Sequence, residues 1–429
     1  MKRRQWLGGI VGMAIGTGSS SPSTEENAQF FAQAQERIER HRKTQLHLDL
    51  RRKDGKPVTR AEIKGQQKRH HFLFGSNIFM WGRFPDADSE EKYRQAFAEV
   101  LNYATLPFYW AFYEPKRGQP IHDYIVRVAE WCQQNGITCK GHPLVWDHEA
   151  SSPSWLPDDL EEVRRLSLQR VRDIVSRFQG LIDIWDVVNE PTDLTRFNTT
   201  MNRLAQKMGA VPFTLEALQE ARRAGPKATL LVNDYRTDPA YYEILSVLKE
   251  KQAPFDVVGI QSHMHAGVWK NERIWDVCQT YQKLSLPLHF TETTILSGKR
   301  KGEGWEESTP EGEEWQAQET ERFYTMLFSH PAVTAITWWD FADQGAWMDA
   351  PAGWLRKDLS PKPVYERMKE LIKKRWWSSF AGVTDEQGRL TASVFKGEYQ
   401  VVIKTPSGDV LTKTVTAAAD KTTQITLVI

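Results

Sequence analysis

The chain has 429 residues, enough for about three domains of ~150 residues, or for one α/β barrel of ~250 residues with smaller additions. Its 56 Lys and Arg nearly cancel 55 Asp and Glu, leaving a formal net charge of +1, so no global field draws nucleic acid or another polyanion, and a neutral polar substrate fits better. A composition 40% hydrophobic and 26% charged excludes a disordered, collagenous or multi-span membrane chain, while the 17 Trp stand out, since Trp serves either as bulky core or as a flat platform for a sugar ring.

The N-terminus, Met1-Lys2-Arg3-Arg4-Gln5-Trp6-Leu7, leads into a Gly-rich apolar stretch and then into small polar residues. Basic, then apolar, then small and polar is the order of an export signal, and the adjacent Arg3 and Arg4 look like a twin-arginine signal over residues 1–25. The expectation is a chain exported to the periplasm or beyond, with no membrane span, because the apolar stretch is shorter than the ~20 residues a bilayer requires. Residues 26–71 read as an N-terminal extension leading into the main domain.

From 72 to 376 short apolar, β-rich runs alternate with longer amphipathic segments. Strands are predicted at 72–78, 101–106, 138–146, 182–189, 229–234, 257–263, 286–291 and 333–339. Segments such as 159–178 and 239–251 carry apolar residues at helical spacing. Eight such repeats predict a (β/α)8 TIM barrel in the α/β class, although an open doubly wound sheet gives much the same string. The positions of the polar residues favour the barrel, whose chemistry sits at the C-terminal ends of several strands. Here the runs end repeatedly in polar and aromatic residues. After residue 376 the pattern changes: over 377–429, alternating runs separated by Asp385-Glu386-Gln387-Gly388 and Pro406-Ser407-Gly408-Asp409 predict a small β-sandwich-like module. With no cluster of titratable groups, it reads as a structural or glycan-anchoring accessory. Cys132, Cys139 and Cys278 give neither a disulfide framework nor a paired metal motif.

Glu190 and Glu292 each stand just past an apolar run, on the fourth and seventh strands, which a closed barrel places across one pocket. Two carboxyls facing a cleft are the apparatus of glycoside hydrolysis, one protonated to donate to the leaving oxygen and one ionised to attack the anomeric carbon.

The chain resembles a family 10 glycoside hydrolase, the family of endo-β-1,4-xylanases. Trp185-Asp186-Val187-Val188-Asn189-Glu190-Pro191 resembles the family's acid/base strand and His289-Phe290-Thr291-Glu292 its nucleophile strand. Gly141-His142-Pro143-Leu144-Val145-Trp146, Gly259-Ile260-Gln261-Ser262-His263, and Thr337-Trp338-Trp339 with Asp343 and Trp347 resemble its sugar-binding elements. The resemblance implies a retaining enzyme without cofactor or metal, acting as a monomer on polysaccharide or oligosaccharide. It implies Glu190 as acid/base, Glu292 as nucleophile, Asn189 on the 2-hydroxyl of the sugar being cleaved, and His263 orienting Glu292. Gln261 and His142 would bond sugar hydroxyls, Trp146, Trp339 and Trp347 would frame the innermost subsites, and Tyr235 joins the substrate-binding set.

The family's acidic-Asn-x-x-Lys segment after the second strand, which clamps the non-reducing-side xylose, is replaced here by Thr105-Leu106-Pro107-Phe108-Tyr109-Trp110. Asp147 stands where the family has His, and Thr294 where an Asp follows the nucleophile. A β-glycosidase with a non-xylan substrate and a non-catalytic glycan-binding protein are therefore alternatives. A metal-dependent barrel hydrolase is a third, since His263 and His265 share one face of a strand.

Overall fold

The computed structural model describes residues 24–418 and 422–429. All but the last two residues of the expected export signal lie outside these. A helix, Thr24–Arg42, leads into strands β1 (Lys43–Arg51) and β2 (Glu62–His70). The barrel strands follow: β3 (Leu73–Asn77), β4 (Tyr103–Pro107), β5 (Thr138–His142), β6 (Ile184–Asn189), β7 (Thr229–Asp234), β8 (Val257–His263) and β9 (Leu288–Thr294). A two-residue ribbon, β10 (Arg300–Lys301) and β11 (Gly304–Trp305), precedes the last barrel strand, β12 (Val333–Trp338). The C-terminal strands are β13 (Ser379–Val383), β14 (Arg389–Phe395), β15 (Gly397–Lys404), β16 (Val410–Ala417) and β17 (Thr422–Val428).

β12 and β3 to β9 form one closed barrel of eight parallel strands, so the predicted TIM barrel is the fold. Each predicted strand has its counterpart, with the largest difference at β5, which ends at His142 rather than at 146. Helices cover the outside because their apolar stripes need a partner. Leu160–Arg177, capped by Asp159 on the Glu161 amide, turns Val163, Val171 and Ile174 inward. Gly141 on β5 is dictated by contact: a Cβ there would meet the Trp185 ring at 2.1 Å, so only glycine lets β5 and the indole pack.

The expected division at the chain's ends is corrected by the strand pairing. β1 lies between β14 and β17, and β2 lies between β13 and β15 with β16 beyond, so the sandwich takes one central strand of each sheet from residues before the barrel. Leu46, Leu48, Leu50 and Ile63 from this segment share one core with Val394, Tyr399, Val401 and Ile403. The physical reason is visible in β1, whose every second residue is buried, a face that has no cover until the C-terminal strands supply it. Residues 43–70 and 379–428 are thus one discontinuous module rather than a leader and a separate tail.

Candidate active site

The C-terminal ends of the barrel strands converge on Glu190 and Glu292, both buried. Glu292 owes its aim to a register shift: β8 and β9 pair Ile260 with Phe290 and then Gln261 with Glu292, leaving Thr291 as an extra residue. Successive side chains on a regular strand face opposite sides, and a bulge re-aims them. Thr291 and Glu292 consequently both meet Asn233 on β7: Thr291 Oγ1 donates to Asn233 Oδ1 at 2.5 Å, and Asn233 Nδ2 donates to Glu292 Oε1 at 2.8 Å. Glu190 follows β6 with φ +54°, a left-handed conformation that side chains other than glycine seldom adopt, and its amide donates to the Asn233 carbonyl at 2.8 Å.

The electrostatics of the two carboxyls differ. Burial pushes Glu190 up to about 8, helped by the charges of Asp234 and Glu292 and opposed by Arg196, whose Nη1 lies 3.3 Å from Oε2, and by Gln261 Nε2, 3.2 Å from Oε1. Burial would raise Glu292 as well, but His142, His263 and the charge of Lys140 together outweigh it and hold the carboxyl below the ordinary glutamate range. His263 Nε2 is 3.0 Å from Oε2, and His142 Nε2 is 3.7 Å from Oε1. Behind His142 stands Asp186, 2.8 Å from Nδ1, itself paired with the fully buried Lys140 at 2.6 Å. Thr294, two residues past Glu292, meets His263 Nδ1 at 2.9 Å, so a neutral hydroxyl orients this ring. Asp147, at the family's His position, accepts from Asn202 Nδ2 at 2.7 Å, and burial pushes it up to about 6.

Asn189 accepts from Asn233 Nδ2 at 2.8 Å and from Gln261 Nε2 at 3.3 Å, both at its Oδ1. Rings complete the walls. Trp339 stands edge-on to His142 (5.4 Å) and His263 (5.9 Å), Trp347 lies 4.8 Å from His263, and Trp146 stacks on His148 at 4.2 Å. The structure therefore gathers His142, Trp146, Asn189, Gln261, His263, Trp339 and Trp347 around the two glutamates. Tyr235 is placed differently, at the exposed rim, where its hydroxyl donates to Asp193 at 3.1 Å beside Arg196. Asp343 is engaged by Lys362 at 2.8 Å and by the Gly353 amide, which makes it a fastener of the Trp347 loop. The β10–β11 ribbon supports the same loop through Trp305, which donates from Nε1 to the Met348 carbonyl at 3.1 Å. His263 spends both ring nitrogens on Thr294 and Glu292, and among the described residues it joins no metal-holding group of His, Cys, Asp and Glu.

Sequence reasoning passed over Asn233, Arg196, Asn77 and Asp340. Asn233 and Asp340 carried the same signal as the residues chosen, a polar side chain at the end of an apolar run. Arg196 lies in a loop, where no period marks it.

A model of the glycosyl hydrolase family 10 matches residues 82–371, more than half of the chain. Endo-1,4-beta-xylanase B of Thermotoga neapolitana is 26% identical over 322 residues, covering 71% of this chain and 89% of that protein. The anti-sigma-I factor RsgI6 of Acetivibrio thermocellus is 25% identical over 392 residues, covering 90% of this chain and 48% of that protein, so the chain spans about half of this relative's length. Xylanase 10B from Thermotoga petrophila RKU-1, solved in complex with xylobiose, superimposes with a TM-score of 0.62 at 24% identity, over 71% of this chain and 95% of that one, a likeness of fold. With the barrel closed and the family's residues matched over 82–371, the chain belongs to glycosyl hydrolase family 10.

Proposed function

We propose that this protein hydrolyses β-glycosidic bonds in plant-type polysaccharide with retention of configuration, as an endo-1,4-β-xylanase-like enzyme with Glu190 as acid/base and Glu292 as nucleophile. The observation that carries this reading is the split between two carboxyls in one pocket, Glu190 raised to about 8 and Glu292 held low by His142 and His263. In the first step the Glu292 carboxylate attacks the anomeric carbon while Glu190 gives its proton to the departing oxygen, forming a glycosyl ester. In the second, Glu190 takes a proton from water, whose oxygen displaces Glu292. Asn189 accepts twice at its Oδ1, which leaves its NH2 as the donor for a sugar 2-hydroxyl. His142 and Gln261 would bond neighbouring hydroxyls, Trp146, Trp339 and Trp347 would cover the sugar faces, and Tyr235 would act from the rim. A monomer exported to the periplasm or beyond suits such a polymeric substrate.

A second reading, a non-catalytic glycan-binding barrel, draws on the altered clamp segment, Thr105-Leu106-Pro107-Phe108-Tyr109-Trp110. The retention of both glutamates, Asn189 and their hydrogen-bond partners supports catalysis instead.

Turnover of aryl β-xylosides, aryl β-xylobiosides and xylan by wild type, Glu190→Ala and Glu292→Ala tests the proposal. Wild type is expected to cleave at least one of them. Glu190→Ala should lose roughly 10²–10⁴-fold and regain turnover with azide as a β-glycosyl azide. Glu292→Ala should be inactive and form only the inverted azide product. Absence of turnover by wild type on the whole panel defeats the enzymatic reading, and turnover persisting in Glu292→Ala defeats the assigned nucleophile.

A further inference from the structure

The wall of the pocket built from β12, β3 and β4 carries polar groups to which nothing above assigns a role. β12 pairs with β3 in register, Thr337 with Gly75 and Trp338 with Ser76, so Asn77, the last residue of β3, and Asp340, two residues past the end of β12, meet at the mouth. Both are buried. Asn77 Nδ2 lies 3.5 Å from Asp340 Oδ1, the long limit of a hydrogen bond, while Asp340 Oδ2 accepts from the Trp347 amide at 2.8 Å.

Among the described residues, one oxygen of this buried carboxylate is thus held firmly and the other has only a distant donor. Such a group is stable only where further donors can reach it. The backbone adds a second sign. Asp340 sits at φ +69°, a left-handed conformation uncommon outside glycine, so its carboxyl projects from a backbone position that few side chains other than Asp and Asn occupy.

The location ties the pair to the sugar. Asp340 lies between Trp339 and Trp347, whose rings both contact His263, the partner of Glu292. Phe79 bridges from Trp339 (5.4 Å) to Tyr109 (5.8 Å), and Tyr109 packs on His142 (5.4 Å) and Trp146 (5.9 Å). Tyr109 belongs to the segment that lacks the family's Asn and Lys, and it senses the charges of Glu292, Glu190 and Asp340 together. The clamp missing from β4 therefore has polar groups facing the same space from β3, which adjoins it, and from β12 on the far side of β3.

We infer that Asp340 and Asn77 form a replacement clamp that binds hydroxyls of the sugar on the non-reducing side of the scissile bond and so set specificity. Asp340 accepts from ring hydroxyls through Oδ1, and Asn77 supplies a donor and an acceptor beside it. The partner chemistry is a neutral pyranoside presenting hydroxyl donors on its edge, with Phe79 and Tyr109 in place of a cationic contact. Burial, with the nearby Asp343 and Glu292, pushes Asp340 up to about 7, as fits a carboxyl awaiting donors.

This inference rests on the glycosidase reading, and the test separates the two. Wild type, Asp340→Gly and Asn77→Ala are assayed on an aryl β-xylobioside and on analogues each lacking one hydroxyl of the two sugars. Glycine suits the backbone at 340, which protects the fold. Wild type should lose roughly 10–100-fold in kcat/KM on at least one deoxy analogue, the size expected for a hydrogen bond to a charged group. Asp340→Gly should show that same loss on the parent substrate and no further loss on that analogue, and Asn77→Ala a smaller version of it. A purely structural role would lower all substrates alike, so deoxy penalties unchanged in both variants overturn the clamp. Calorimetric binding of xylobiose to the three proteins is measured alongside. If wild type cleaves nothing, weaker binding by Asp340→Gly still upholds the clamp while the hydrolase reading falls, and equal binding overturns both.

Discussion

Asn233 on β7 and Glu292 on β9 are joined over the intervening strand β8 by a 2.8 Å hydrogen bond, the side-chain amide of Asn233 donating to the Oε1 of Glu292. A donor aimed at the ionised form stabilises it, and here the donor is itself fixed by Thr291 at its oxygen. Asn233→Ala should lower kcat/KM by about 10–100-fold and move the acidic limb of its pH profile upward, since the carboxylate loses a stabilising donor. An acidic limb that stays in place on aryl β-xylobioside would show that His142, His263 and Lys140 set the ionisation of Glu292 without Asn233.

The pH dependence of stability follows from Glu190. Its folded-state pKa, about 8, lies above the value of 4.5 for an ordinary glutamate. Between those values the native protein holds a proton that the unfolded chain has released, so the native state binds more protons and stability falls as pH rises through the window. Glu190→Gln removes this penalty. Its Tm should match wild type near pH 4.5 and exceed it by about 5 °C at pH 8, read by calorimetric scans across the range. A gain that is constant with pH would mean that the substitution acts through packing.

Arg196 opposes the rise of Glu190 from 3.3 Å while leaning on the rings of Phe197 and Tyr235. An opposite charge favours the ionised carboxyl, so its removal must raise the acid further. Arg196→Met keeps an apolar stem against the rings and should shift the basic limb of kcat/KM to higher pH, leaving turnover on the acidic side near wild type. A basic limb moving downward would assign to Arg196 a role other than holding Glu190 ionised.

The barrel and most of its site were legible in the sequence because a parallel barrel strand is an apolar run, and a polar residue ending such a run marks the mouth. His142, Asn189, Gln261 and Glu292 all carry that mark. The aim of Glu292 was not legible, since strict alternation sets Thr291 and Glu292 on opposite faces and only the register shift brings both to Asn233. Asn77 and Asp340 could not be paired before barrel closure set β12 against β3. Tyr235 carried the strand-end signal, yet it stands one residue past β7, where the chain has turned out to the exposed rim. The sandwich was hidden for a different reason: alternation in residues 43–51 shows that a strand exists but not what it pairs with, and His47 faces Thr391, 344 residues along the chain.

That long-range pairing makes the C-terminal strands part of the fold of residues 43–70. A chain ending at Trp377 would keep every barrel strand but leave β1 without β14 and β17, and β2 without β13 and β15. Leu46, Leu48, Leu50 and Ile63 would then lose their cover, and both strands would present unpaired edges, the condition that favours aggregation. The neighbouring contacts spread the damage, because His70, at the end of β2, reaches the Ile372 carbonyl beneath the barrel at 3.1 Å through Nε2. The shortened chain should therefore be recovered as aggregate, or melt well below the full chain and be cut rapidly by protease within residues 43–70. Replacing residues 43–69 by a short linker as well should restore solubility, because both orphaned strands go while the helix Thr24–Arg42, whose Ile38 lies in the barrel core and whose Arg42 bonds the His330 carbonyl, stays in place. A shortened chain as soluble, protease-resistant and thermally stable as the full one would show that the barrel and the sandwich fold independently.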